Sequence, residues 1–131
     1  MRTVSDVERF LTDSSLKFQD FGGGLFIVNE ESGLRHLAIK VQDEVVVFQL
    51  RVMEIPPKGA ADRESLFETL LKLNGEGLLH AAFALLDDGI YLQAALPLPN
   101  LDPNEMQAVL DDISLAVSQH IPRLRASKPA N

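Results

Sequence analysis

Leu37-Ala38-Ile39-Lys40-Val41-Gln42-Asp43-Glu44-Val45-Val46-Val47-Phe48-Gln49-Leu50-Arg51-Val52 is the stretch that decides the fold. Leu37, Ile39 and Val41 alternate with His36, Lys40 and Gln42, the period of a strand with one face buried. Asp43-Glu44 supplies a tight turn. The chain then returns through residues 45–55, with Val46, Phe48, Leu50 and Val52 on one face and Gln49 and Arg51 on the other. Upstream, Leu25-Phe26-Ile27-Val28 reads as another strand that turns at Glu31-Ser32-Gly33. Three antiparallel strands joined by short turns make a meander with one apolar face. Gly22-Gly23-Gly24 reads as a loop or sharp entry. A phosphate cradle needs a following helix, and here a strand follows.

Before the meander, Ser5 and Glu8 have capping-box spacing, and Val4, Val7, Phe10 and Leu11 recur at helical intervals, so a helix is predicted to end near residue 14. After it, Pro56-Pro57-Lys58-Gly59 stops the third strand, because proline cannot donate to a ladder. Asp62 opens a second helix whose stripe is Leu66, Phe67, Leu70, Leu71 and Asn74, ending at Gly75 or Gly77. Residues 78–86 are nearly all apolar and read as a strand covered on both faces. Asp87-Asp88-Gly89 turns it back into residues 90–96. Asp102-Pro103-Asn104-Glu105 combines an N-cap, a proline at the first helical position and a returning glutamate. The helix it opens carries Met106, Val109, Leu110, Ile113, Val117 and Ile121 and is predicted to stop at Pro122. The fold class is α+β, in the order α-β-β-β-α-β-β-α, an antiparallel sheet packed by helices. Residues 1–122 form a single domain, and residues 123–131 a flexible basic tail.

The 131 residues suffice for one domain with its own core. Asp and Glu outnumber Lys and Arg by 19 to 12, a formal charge of −7. A field of that sign repels phosphate backbones and anionic lipid and suits a basic or amphipathic partner, so neither nucleic acid nor membrane is expected. The chain has no cysteine, hence no disulfide, thiol chemistry or thiolate metal site. Met1 to Asp6 lacks the apolar run of a signal peptide, and no segment is long enough to span a bilayer, which makes the cytoplasm the expected compartment.

No set of residues assembles a catalytic motif. His36, His80 and His120 are never three or four residues apart, so there is no helical metal pair. His36 is expected on a solvated strand face and His80 as a core or interface residue. His120 is expected in the last turn of a helix, where a cation is favoured. Asp87-Asp88-Gly89 lacks the spaced oxygens of a calcium loop, and Asp111-Asp112 is expected on the solvated side of its helix. No catalytic residue, cofactor or metal is expected.

Leu70-Leu71-Lys72-Leu73-Asn74, Phe83-Ala84-Leu85, the Asp-Asp-Gly turn and Ala95-Leu96-Pro97-Leu98-Pro99-Asn100-Leu101-Asp102 together resemble the YbjN-domain family. These bacterial proteins are labelled sensory-transduction regulators and have a fold like that of type III secretion chaperones. The resemblance is best from residue 62 to 121. It implies a small acidic homodimer that binds extended segments of other proteins, and it brings no catalytic residues. The expected function is non-enzymatic binding of a protein partner, in a regulatory or chaperone-like role. Leu66, Leu70, Leu78, His80, Ala82 and Tyr91 are the candidate interface residues. Two alternatives stand beside it: a dedicated type III secretion chaperone for one effector, and a small enzyme or ligand binder with a pocket between sheet and helices.

Overall fold

A computed structural model describes residues 2–30 and 33–126. In chain order the elements are α1 (Val4–Asp13), β1 (Phe18–Gly22), β2 (Leu25–Asn29), β3 (Arg35–Gln42), β4 (Val45–Met53), α2 (Arg63–Glu76), β5 (Ala82–Leu86), β6 (Gly89–Pro97), α3 (Pro103–Leu115), a π-helical turn (Ala116–His120) and α4 (Ile121–Ala126). The six strands form one antiparallel sheet in the order β1-β2-β3-β4-β6-β5. The class is α+β, as predicted, with one strand more than the sequence pattern showed.

That extra strand is β1. Gly22-Gly23-Gly24 is the hairpin turn that joins it to β2, with φ of +81°, +63° and +84°. A side chain at Gly24 would also place its Cβ 2.8 Å from the Val41 carbonyl oxygen. Positive φ at consecutive turn residues matches the right-handed twist of the flanking strands. The turn expected around residues 31–32 lies outside the described residues.

Cross-strand partners share a face, so register places the core. Phe26 pairs with Ile39, Ile39 with Phe48, and Phe48 with Ala94. All four are buried. Val7 and Leu11 of α1, Leu66 and Leu70 of α2, and Met106, Val109, Leu110 and Ile113 of α3 join them in a single cluster. Burying each large side chain contributes about 1.5–3 kcal/mol before entropy is subtracted. All the longer helices therefore lie on one face of the sheet, and among the described residues no layer covers the other face.

The helix ends show where local chemistry was legible. At α3, the Asp102 carboxylate accepts from the Asn104 amide at 2.7 Å and Glu105 returns a bond to the Asp102 amide at 3.2 Å. At α1 the cap is Thr3, not Ser5. Its amide donates to Asp6 Oδ2 at 2.8 Å, and this bond is the main cause that holds the Asp6 carboxyl below its ordinary value. Pro122 does not stop the C-terminal helix. The Ile121 amide donates to the Ala116 carbonyl, a π-type bond. The wider turn relieves the crowding a proline ring imposes on the preceding carbonyls. The chain continues as α4 and buries Leu124, so residues 123–126 are helical. Residues 127–131 of the expected tail lie outside the described residues.

Candidate protein-binding surface

The loop before β5 is fixed by a side chain from α3. Asp112 is buried, and its Oδ2 accepts from the amides of Leu79 at 3.1 Å, His80 at 2.7 Å and Ala81 at 2.8 Å. The sequence pattern placed Asp112 on the solvated face and residues 78–81 in a strand. Instead the carboxylate gathers that segment into a loop, and β5 begins at Ala82. Buried polar groups need partners, and here they satisfy one another.

Beyond the loop, Asn74 of α2 lies against β5. Its Oδ1 accepts from the Phe83 amide at 2.7 Å, and its Nδ2 donates to the Phe83 carbonyl at 3.1 Å. Phe83 thus spends both outward backbone groups on a side-chain amide, which blunts the sheet edge there. This explains a polar residue within the apolar stripe of α2. An open apolar groove of about 220 Å³ follows, lined by Phe67, Leu70, Leu71, Phe83, Leu85 and Ile90 among others. Leu71 is 71% exposed and Leu85 55% exposed at its rim.

The second surface is the uncovered sheet face. Register aligns its side chains in rows across the strands. One row runs Leu25, Lys40, Val47, Ala95; the next runs Gln19, Ile27, Ala38, Gln49, Gln93, Ala82. Gln49 Nε2 donates to Gln93 Oε1 at 3.2 Å. Leu25, Ile27, Ala38 and Val47 are half-buried by their neighbours alone, and Val45 is exposed. At one end Arg51 donates through Nε and Nη2 to the Asp88 carbonyl at 3.1 and 2.8 Å. The Tyr91 hydroxyl donates to the Asp88 carboxylate at 2.9 Å, and this bond, more than partial burial, raises the phenol above its ordinary value.

The six candidate interface residues divide. Leu66, Leu70 and Leu78 are 6–7% exposed and serve the domain's own core, Leu70 also flooring the groove. His80 is exposed on the loop, anchored through its amide, not within an apolar strand. Ala82 and Tyr91 lie half-buried on the open sheet face. Leu71 belongs to the apolar stripe of α2 and Leu85, Ile27 and Val47 to stretches that read as strands, but none of the four is among the candidate interface residues. Of the other histidines, His36 is exposed. His120 packs its Nε2 at 3.1 Å from the Gly77 carbonyl, where any Cβ on Gly77 would come within 3.0 Å of that atom.

A polar hollow of about 300 Å³ between the end of α1 and α3 brings Glu30 and Asp111 to one opening. Glu30 accepts from the Lys17 amide, and Asp111 from Gln107 Nε2 at 2.8 Å, so both carboxylates have structural bonds. Among the described residues no group of three or more His, Asp or Glu side chains could hold a metal ion. No described helix is long and apolar enough to cross a membrane.

Comparison with known proteins places this architecture. The CesT_Tir_1 family model matches residues 1–128. No curated protein sequence matches. Among solved structures, YbjN from E. coli superposes with a TM-score of 0.67 at 14% identity, covering 95% of this chain and 92% of that one. The heterodimeric ExoU–SpcU complex from the Pseudomonas aeruginosa type III secretion system gives 0.72 at 15% identity, covering 92% and 99%. The Yersinia pestis type III secretion chaperone SycH, solved with a stable fragment of YscM2, gives 0.53 at 16% identity, covering 88% and 99%. At these identities the likeness is one of fold.

Proposed function

Because the chain belongs to the CesT/Tir chaperone-like family, we propose that it is a non-enzymatic protein-binding domain that holds a segment of a partner protein, in a chaperone-like or regulatory role. The observation that carries this reading is the open sheet face, whose rows of Leu25, Val47 and Ile27 lie on strands that no described helix covers. An accessible surface that mixes apolar side chains with polar and charged ones is the usual composition of a protein contact. SycH was solved with a fragment of YscM2, and SpcU in complex with ExoU, which supports a protein partner here. A cytoplasmic setting accompanies the same reading.

The groove between α2 and β5 suits a second copy of this chain. Leu71 and Leu85 are the most exposed of its lining, and the Asn74 amide is already turned to the Phe83 backbone. The homodimer so formed would pack helix on helix and leave the sheet face free for the partner.

The test pairs two variants. Ile27→Glu/Val47→Glu is expected to keep the fold and lose the partner that the wild-type chain retains from its native host. Leu71→Glu/Leu85→Glu is expected to keep the partner and halve a dimer mass of twice 14.4 kDa in light scattering. Retention of the same partner by the sheet-face variant would refute the proposal. The narrower reading, a dedicated chaperone for one secreted effector, draws on the same family membership. Selective retention of a single secreted protein encoded beside this gene would favour it.

A further inference from the structure

The charge of this molecule is distributed unevenly between its layers. Among the described residues Asp20, on edge strand β1, is the only acid within a strand; the remaining described acids lie on helices, turns and loops. The strands carry Arg35, Lys40 and Arg51 instead. On the open face, Lys40 stands between its register partners Leu25 and Val47, inside the apolar row. Neither Lys40 nor Arg51 takes part in an ion pair among the described residues, where the pairs are Arg2–Asp6 and Lys72–Glu68. Acids also flank this face at its two ends, Asp43 and Glu44 in the β3–β4 turn and Asp87 and Asp88 in the β5–β6 turn. Asp88 is already bonded to Tyr91.

We propose that the segment held on the open sheet face is acidic and amphipathic, its apolar side chains meeting Leu25, Ile27 and Val47 and its carboxylates meeting Lys40 and Arg51. This rests on the docking reading above and reverses the expectation drawn from net charge. The formal −7 describes the molecule at a distance. At physiological salt the screening length is about 8 Å, so the acids on the helices, a full layer away, count for less than cations at the contact. A basic segment would leave Lys40 facing a like charge amid apolar neighbours, which complementary interfaces avoid.

Two labelled peptides with identical leucine spacing, one with glutamate at its polar positions and one with lysine, distinguish the cases by anisotropy and by amide shifts of the protein. The glutamate peptide is expected to bind more tightly, by about two- to fivefold for each cation engaged, with the preference shrinking as salt rises. Lys40→Glu, at an exposed position, removes that preference, and Lys40→Arg keeps it. Equal or tighter binding of the lysine peptide on the same face would overturn the acidic assignment and leave the docking reading standing. Shifts confined to residues outside the face would overturn both. Concentration-dependent shifts on the face without peptide would assign it to a second copy of the chain and overturn the proposal.

Discussion

The carboxylate of Asp112 lies 2.7 Å from the amide nitrogen of His80, and through that bond and its neighbours α3 holds the loop from which β5 departs. Two surfaces depend on this contact, since β5 forms one wall of the groove and one border of the open sheet face. Asp112→Ala strands the amides of Leu79, His80 and Ala81. Loss of bonds to a charged acceptor is expected to cost about 2–3 kcal/mol in a urea melt. Hydrogen exchange at residues 79–81 should accelerate more than at β3. An unchanged melt would show that the loop holds itself.

Asn74 protects the edge of the sheet. Asn74→Ala frees the outward amide and carbonyl of Phe83, for an expected loss of about 1–2 kcal/mol. It also exposes a strand edge to pairing with other chains, so sedimentation should reveal association beyond the wild-type species. Wild-type behaviour in both measurements would deny Asn74 this role.

Leu110 is 2% exposed, on the face of α3 that closes the core. Leu110→Asp buries a carboxylate without a partner, at an expected cost of about 4 kcal/mol or more, enough to unfold the domain. A cooperative melt like that of the wild type would refute the packing of α3.

Tyr91 is the chain's one tyrosine, which makes its titration directly readable. Its hydrogen bond to the Asp88 carboxylate favours the neutral phenol, so the absorbance midpoint is expected above 10.0. The stability this bond contributes is present below the phenol's unfolded value and is lost as pH rises through the folded one. Asp88→Asn should bring the midpoint back toward 10.0. A midpoint that Asp88→Asn leaves unmoved would place the cause elsewhere.

The elements legible in the sequence are those whose two sides differ. β3 and β4 alternate because one face, which carries Ile39 and Phe48, meets the helices while the other meets solvent. α3 announces its start through Asp102 and Glu105, a contact between near neighbours. β1 has no apolar face to alternate, being exposed after Phe18, and so was hidden behind a glycine turn. Residues 78–81 imitated a strand because Leu78 and Ala81 are buried, although a carboxylate some thirty residues away, not a ladder, holds them. The candidate site was half legible for the same reason. Pattern located the apolar stripe of α2 and the strand faces. Which members stay exposed, Leu71 and Leu85 against Leu66 and Leu70, depends on how far each element overhangs its neighbour.

The most direct measurement is backbone amide mapping of the full chain with and without a bound partner segment. Shifts are expected at Leu25, Ile27, Lys40, Val47, Gln49 and Gln93 on the uncovered face, with Val109 and Ile113 beneath the helices unmoved. Shifts concentrated on the helical side, with the sheet face silent, would contradict the account.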